Sequence, residues 1–148
     1  MWPFIILSIL IVVADRLLKF VIFKKISIGF SLPVIEGIFH ITPTYNKGIA
    51  FGLFKDYNLY IFISVSVITL FFILYILLMV RPKSYLFTSG LFLVLAGAVG
   101  NLIDRIIYGH VLDFIDFRIW PVFNMADSAI TIGAGLILWH LCLGDRAK

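Results

Sequence analysis

Two aspartates, Asp113 and Asp127, are the residues of this sequence best suited to chemistry. Both stand among apolar residues, in the strings Val111-Leu112-Asp113-Phe114 and Phe123-Asn124-Met125-Ala126-Asp127. Two neighbouring carboxyl groups can share one proton, so that one acts as an acid and the other as a base. The ionised member takes a proton from a water molecule that attacks a carbonyl, while the protonated member polarises that carbonyl. We interpret the two aspartates as the catalytic pair of an aspartic peptidase.

The remaining polar residues within apolar surroundings have simpler explanations when each is taken singly. Asp15 and Lys19 are four residues apart, so on a helix they share a face and can pair as structural support. Asn101 and Asp104 are three apart and also share a face. Asn124 suits a helix N-cap, which would explain Asp127 three residues later. Asp113 and Asp116 could each be solvated loop residues.

Metal chemistry is the obvious competitor for clustered carboxylates. The three histidines, His40, His110 and His140, form no i, i+4 pair and no His-Glu-x-x-His motif. Cys142 is the only cysteine, so it can form neither an intramolecular disulfide nor a cysteine-based metal cluster. We therefore predict an enzyme that uses no metal and no other cofactor.

The elements that carry these residues are predicted to be membrane-spanning helices. The 148 residues are 62% hydrophobic and 14% charged, whereas soluble domains carry about 25% charged residues. Four apolar segments, 2–23, 57–80, 86–103 and 123–143, are each long enough to cross about 30 Å of hydrocarbon as a helix. The fold class is therefore mainly α and integral to the membrane, with four transmembrane helices in a single domain, 1–148. The first segment lacks a basic region before its apolar stretch, so we expect a retained span.

The segment 24–56 is too long for a simple connection between two helices. Near-alternating polarity over 26–32 and 37–42 is typical of half-buried strands, and we expect a small antiparallel β-sheet on the membrane surface. Pairs of small residues four apart, Ala96 with Gly100 and Ala129 with Gly133, predict close helix contacts. The net charge of +4 comes from Lys and Arg scattered through short loops, so we predict no nucleic-acid partner.

Four motifs lie in a fixed order between the apolar segments. They are Asn-Lys-Gly-Ile-Ala-Phe at 46–51, Gly-Asn-Leu-Ile-Asp-Arg at 100–105, and the two aspartate strings quoted above. In this order they resemble the lipoprotein signal peptidase family, also called signal peptidase II, over nearly the whole chain. Four ordered motifs are highly specific, whereas a single Gly-Asn-x-x-Asp-Arg would be a weak signal.

The resemblance implies an aspartic endopeptidase of the bacterial inner membrane that removes signal peptides from prolipoproteins. It implies cleavage just before a cysteine that carries a diacylglyceryl group, with Asp113 and Asp127 as the catalytic aspartates. Six residues fall on the family's site-lining positions, where they would orient the dyad and bind the substrate backbone: Asn46, Gly48, Asn101, Asp104, Arg105 and Asn124. Asp15 and Lys19 match a charged pair of the first span.

The same resemblance implies that both termini are cytoplasmic and that the active site and the sheet lie on the extracytoplasmic side, among membrane lipids. We also expect a monomer. The basic residues mildly oppose this orientation, because four lie on the side assigned to the cytoplasm and six on the other. Aromatic side chains of the outer connections are expected to clamp the substrate: Tyr45, Phe51, Phe54 and Trp120.

The chain departs from the family pattern in two of its motifs. The first span often reads Asp-Gln-x-x-Lys or Asp-x-x-Thr-Lys, whereas this chain has Arg16 after Asp15 and Leu18 before Lys19. Ile49 stands where a small residue is usual. The first departure concerns the hydrogen bonding around Asp15, and the second concerns the shape of the pocket near Asn46.

A small transporter or proton-coupled carrier is the alternative from another functional class, because intramembrane carboxylates also relay ions. That alternative predicts acidic residues near the bilayer midplane and a repeated topology. Here Asp104, Asp113 and Asp127 gather at one surface, and the sequence shows no inverted repeat. A structural subunit of a larger complex would leave the ordered motifs unexplained.

Overall fold

The computed structural model describes residues 1–48 and 59–143. Within these ranges the chain is mainly helical, as predicted, with a three-stranded sheet at one end of the helices. The helices are α1 (Trp2–Lys25), α2 (Leu59–Tyr75, continued by a π-helical turn over Ile76–Val80), α3 (Tyr85–Tyr108) and α4 (Met125–Leu143). The strands are β1 (Leu32–Ile35), β2 (Phe39–Asn46) and β3 (Val111–Asp116).

Three of the described helices are long and apolar enough to cross a bilayer, namely Leu59–Val80, α3 and α4. α1 is 24 residues long, which at 1.5 Å per residue gives about 36 Å, but it carries Asp15, Arg16 and Lys19. Asp15 is 1% exposed and Lys19 is 2% exposed, so both face the protein, while outward residues such as Leu10 and Phe20 are apolar. The length and outer surface of α1 therefore suit the fourth predicted span.

The predicted helix limits are close to the observed ones except for α3. The apolar segment was predicted to end at residue 103, whereas α3 continues to Tyr108 and ends at Gly109, whose φ is +75°. The prediction stopped early because Asp104 and Arg105 interrupt the apolar run. Asp104 is fully buried against α1, so its charge does not end the helix. Residues 57 and 58 of the second predicted segment lie outside the described ranges.

The sheet is antiparallel in the order β1-β2-β3, which confirms the prediction of a small antiparallel sheet. The strand predicted over 26–32 was wrong, because the chain bends and turns there, with Gly29 at φ +80°. β2 overlaps the second predicted strand and extends to Asn46. β3 comes from the connection between α3 and α4, where no strand was predicted. Its register places Thr44 opposite Asp113.

Asp116, expected as a solvated loop residue, is instead a buried residue of β3. Its carboxylate accepts hydrogen bonds from Thr42 Oγ1 at 2.8 Å and from Arg118 at 2.8 and 3.0 Å. Burial opposes ionisation, but these hydrogen bonds and the Arg118 charge lower the pKa of Asp116. This carboxylate fixes β3 to β2 at the end of the strand away from Asn46.

Helices α3 and α4 approach each other through glycines. A Cβ added to Gly97 would lie 2.3 Å from the Ala126 carbonyl oxygen, and one on Gly133 would lie 2.6 Å from the Gly90 carbonyl oxygen. Contact at Gly133 was predicted from its pairing with Ala129, whereas Gly90 and Gly97 were not recognised. This close contact sets the first turn of α4 beside the last turns of α3.

Candidate active site

Asp113 lies in the middle of β3 and is 1% exposed. Its Oδ2 accepts a hydrogen bond from Asn46 Nδ2 at 2.9 Å, and its Oδ1 accepts one from Asn124 Nδ2 at 2.6 Å. Both donors are neutral amides. The sheet register brings the Asn46 end of β2 beside Asp113, because β2 and β3 are antiparallel neighbours.

Asp127 lies in the first turn of α4, where Asn124 forms the predicted N-cap. The Asp127 amide donates to Asn124 Oδ1 at 2.9 Å, and the Asn124 amide donates to Asp127 Oδ2 at 3.2 Å. This reciprocal arrangement is a capping box, with an aspartate in the position usually held by Glu or Gln. The start of α4 therefore fixes both the position and the rotamer of Asp127.

The two aspartates are joined by a closed set of amide hydrogen bonds. Asn124 contacts Asp113 through its side chain and Asp127 through its backbone. Asn101 of α3 closes the set, because its Nδ2 donates to Asp127 Oδ1 at 2.7 Å while its Oδ1 accepts from Asn124 Nδ2 at 3.1 Å. We call Asp113, Asn124, Asn101 and Asp127 the amide ring. It brings together residues from β3, α3 and α4.

Gly48 orients Asn46. The Gly48 amide donates to Asn46 Oδ1 at 3.0 Å, which leaves Asn46 Nδ2 free to point at Asp113. Such an Asx turn suits the chain just after β2. Asn46 and Gly48 are thus placed where the sequence predicted site-lining residues, and the spacing of the motif is explained by this turn.

The two carboxyl groups differ in their access to solvent. Burial, and then the nearby negative charge of Asp127, raise the pKa of Asp113 to about 7, although Asn46, Asn124 and Lys19 act in the opposite direction. Asp127 is half-buried and lines a cavity of about 860 Å³. Asp113 is not among the lining residues, whereas Asn46, its partner, is.

The cavity runs between helices α2, α3 and α4, and most of its wall is apolar. Asn46, Gly48, Asn101 and Asp127 lie in its polar part, together with Arg105. The Arg105 guanidinium lies 5.6 Å from the centre of the Phe62 ring, and it donates no hydrogen bond to either aspartate within residues 1–48 and 59–143. Arg105 therefore belongs to the cavity wall rather than to the amide ring.

Asp104, predicted as a site-lining residue, points away from the cavity. Its Oδ2 accepts from Lys19 Nζ at 2.7 Å and from the Leu112 backbone amide at 3.1 Å. Asn101 and Asp104 are three positions apart, but the first contacts Asp127 and the second contacts α1. Asp104 supports β3 immediately before Asp113.

Asp15 and Lys19 form the predicted ion pair, with Lys19 Nζ 2.9 Å from Asp15 Oδ2. Sequence reasoning missed the third member of this group, Arg16. Its guanidinium donates to Asp15 Oδ2 at 2.6 Å and to Asp104 Oδ1 at 2.5 Å. The departure noted after Asp15 was the available signal, since a charged side chain inside an apolar segment requires a partner.

The aromatic residues predicted to clamp the substrate separate into two groups. Trp120 lines the cavity beside Asp127. Tyr45 instead lines a separate cavity of about 520 Å³ and contacts the His110 ring in a tilted arrangement, with the ring centres 4.2 Å apart. Phe51 and Phe54 lie outside the described residues, as does Ile49. In the described ranges, no group of three or more His, Cys, Asp or Glu side chains is arranged to hold a metal ion.

Comparisons with known proteins agree on one family. The family model described as signal peptidase (SPase) II matches residues 7–143. The lipoprotein signal peptidase of Moorella thermoacetica is 43% identical, and the alignment covers 99% of this chain and 98% of the relative. The lipoprotein signal peptidase of Halothermothrix orenii is 40% identical, with 92% of each chain covered.

Two solved structures have the same fold over nearly the whole chain. One, described as a bacterial membrane enzyme determined in meso at 2.3 Å resolution, superposes with a TM-score of 0.92 and 33% identity. That superposition covers 99% of this chain and 91% of the solved one. A second in meso structure, at 1.9 Å resolution, gives a TM-score of 0.88 and the same identity, over 97% of this chain and 94% of the other.

Proposed function

Because this chain belongs to the signal peptidase II family, and so is an aspartic peptidase that removes signal peptides from prolipoproteins, we propose that Asp113 and Asp127 are its catalytic pair. The observation that carries this proposal is the amide ring, in which Asn124 contacts both carboxyl groups. Asn101 and Asn124 hold the two acids in one place without supplying a positive charge to Asp113.

In the proposed reaction, Asp113 carries the shared proton and Asp127 is ionised. A water molecule in the cavity gives a proton to Asp127 while its oxygen attacks the scissile carbonyl carbon. Asp113 donates its proton to the carbonyl oxygen, so a neutral gem-diol forms. As the diol collapses, Asp127 gives its proton to the leaving amine and Asp113 recovers its proton, so the dyad returns to its starting state. The buried position of Asp113 favours the protonated form, and the cavity position of Asp127 gives it access to water.

We assign substrate binding to the polar part of the cavity wall. Asn46 lines the cavity and donates a hydrogen bond to Asp113. We propose that, when substrate binds, the scissile carbonyl oxygen replaces the Asn46 side-chain amide as the hydrogen-bond partner of Asp113. The Arg105 guanidinium faces the same cavity and would donate to a neighbouring substrate carbonyl. Gly48 lines the same wall and adds no side chain to it. Asp15, Lys19 and Asp104 support the site without touching the substrate.

The proposed substrate is a prolipoprotein whose cysteine carries a diacylglyceryl group, cut just before that cysteine. The apolar cavity wall between α2 and α4 would receive apolar parts of such a substrate from within the bilayer, with Trp120 at its edge. We further propose that the enzyme acts as a monomer in the bacterial inner membrane. Both termini would be cytoplasmic, and the amide ring and the sheet would lie near the outer face.

The proposal is tested by cleavage of a diacylglyceryl-modified prolipoprotein and of its unmodified precursor, in detergent and in liposomes. We expect wild type to cut only the modified form, and Asp113→Asn and Asp127→Asn to lose activity by about 10³-fold or more, because each removes half of the dyad. A chelator is expected to leave the wild-type rate unchanged.

Asp116→Asn is the matched control, since Asp116 is a buried aspartate of the same strand but lies outside the amide ring. It should keep activity in proportion to the folded fraction. Near-normal cleavage by either dyad variant, or inhibition of wild type by the chelator, would show that the catalytic assignment is wrong. Cleavage of the unmodified precursor at an equal rate would refute the proposed substrate class.

A further inference from the structure

Arg16 joins the only two carboxylates of the described spans that lie outside the amide ring. One guanidinium nitrogen, Nη1, donates to Asp104 on α3, and the other, Nη2, donates to Asp15 and to the Gly100 carbonyl at 3.2 Å. Lys19 Nζ also contacts both carboxylates, Asp15 Oδ2 at 2.9 Å and Asp104 Oδ2 at 2.7 Å. Only the planar guanidinium, however, presents two nitrogens in a fixed geometry, one to each carboxylate. Arg16 and Lys19 together set the distance between Asp15 and Asp104.

Each of these carboxylates also holds a backbone amide next to the catalytic pair. Asp15 Oδ1 accepts from the Ala126 amide at 3.2 Å, one residue before Asp127. Asp104 Oδ2 accepts from the Leu112 amide at 3.1 Å, one residue before Asp113. The bridge made by Arg16 therefore connects the backbone of β3 to the backbone of α4 at the residues that precede the two aspartates.

The charges of this cluster balance. Asp15 and Asp104 are 1% and 0% exposed and carry two negative charges, while Lys19 and Arg16 carry two positive ones. Loss of the Arg16 charge would leave a net negative charge in a buried cluster beside the dyad. A negative charge near a carboxyl group favours its protonated form.

We propose that Arg16 is a positioning residue for the catalytic pair: by bridging Asp15 and Asp104 it fixes the spacing of Asp113 and Asp127 and keeps the cluster beneath them neutral. Arg16 lines the separate cavity of about 520 Å³ and not the catalytic cavity, so it acts through its partners and not on the substrate. This inference rests on the proposed catalytic role of the two aspartates.

Arg16→Gln keeps a hydrogen-bond donor but removes the guanidinium bridge and its charge, while Lys19 still contacts both carboxylates. We expect kcat to fall by about tenfold, because small displacements of catalytic groups are costly, while KM changes by less than about twofold. The alkaline limb of the pH profile, where kcat falls as the pH rises, should move to higher pH. Arg16→Lys restores the charge without the bridge, so it should return the limb to its wild-type position and recover only part of kcat. In an Asp104→Asn background, Arg16→Gln should cost less than in wild type.

Arg118→Gln is the matched control, because Arg118 pairs with Asp116 at the other end of β3. It should leave kcat and the position of the alkaline limb of the pH profile at their wild-type values. If Arg16→Gln lowers thermal stability but the folded protein keeps the wild-type kcat and pH profile, the positioning role is refuted and Arg16 only stabilises the fold.

A substrate-free measurement separates this inference from the proposed function. The ¹³C NMR titration of the Asp113 carboxyl should shift to higher pH in Arg16→Gln and return in Arg16→Lys. An unshifted titration would overturn the role of Arg16 even if wild type is active. Inactivity of the wild-type enzyme would overturn the proposed function, while the titration would still decide the role of Arg16.

Discussion

Replacing Asn46 by alanine should raise the pKa of Asp113 further and move the alkaline limb of the pH profile. Asn46 Nδ2 donates to Asp113 Oδ2 at 2.9 Å, and Asp113 already has a pKa of about 7 through burial and the charge of Asp127. A hydrogen bond to a charged group contributes about 1.5–3 kcal/mol. The protonated carboxyl keeps part of this hydrogen-bond energy. The loss of Asn46 therefore destabilises the ionised form by about 1.4 kcal/mol more than the protonated form, which corresponds to about one pKa unit.

The assay is the dependence of kcat/KM on pH between about 5 and 9.5, because kcat/KM reports the ionisations of the free enzyme. If Asp113 must be protonated, activity falls above its pKa, so the limb should lie near pH 7 in wild type and near pH 8 in Asn46→Ala. Thr44→Ala is the control. Thr44 lies opposite Asp113 in the sheet, but within the described residues the Asp113 carboxyl accepts from Asn46 and Asn124 only. A limb in Asn46→Ala that stays in place or moves to lower pH would refute the assignment of the proton to Asp113.

Two further predictions concern stability. Gly97→Ala should lower the free energy of unfolding by about 1–3 kcal/mol, because the added Cβ would lie 2.3 Å from the Ala126 carbonyl oxygen. The control, Gly135→Ala, places its Cβ where nothing lies within 4 Å, so it should be neutral or stabilising by about 0.5–1 kcal/mol. Equal unfolding midpoints of the two variants in detergent would contradict the close helix contact. The folded state raises the pKa of Asp113 from 3.8 to about 7, so it binds more protons than the unfolded chain between these values, and stability should fall by about 4 kcal/mol as pH rises through this window. About 2.7 kcal/mol of this fall lies between pH 5 and pH 7. Melting temperatures at about pH 5 and pH 8 should therefore drop in wild type and drop less in Asp113→Asn, and the same pH dependence in both would contradict the buried, protonated state.

The sequence predicted the parts of the fold that depend on local pattern. Long apolar segments predict helices because a membrane span must be apolar along most of its length. Asn124 followed by Asp127 predicts a helix start, and the capping box is observed. Asp15 and Lys19 were paired from their spacing alone. The last two inferences use residues within about one turn of a helix, and the first uses a continuous segment of the chain.

The parts that could not be predicted depend on contacts between distant residues. β3 is short, and its pairing with β2 decides that Asp113 is a strand residue and not a loop residue. The partner of Arg16 on α3, Asp104, is 88 positions away in the chain. Asp104 and Asn101 were assigned to one site because they share a helix face, yet one turns to α1 and the other to α4.

The placement of charges around the site has a chemical reason. If Lys19 or Arg16 paired directly with Asp113, the ion pair would stabilise the ionised carboxylate, and Asp113 could not hold a proton near neutral pH. The two cations instead pair with Asp15 and Asp104, which hold the backbone amides of Ala126 and Leu112. The carboxyl groups of Asp113 and Asp127 are then contacted by amide donors, which fix their positions while leaving one proton to be shared. The charged cluster thus holds β3 and α4 at Leu112 and Ala126, one residue before each aspartate of the amide ring. The site can therefore be rigid while one of its carboxyl groups stays protonated.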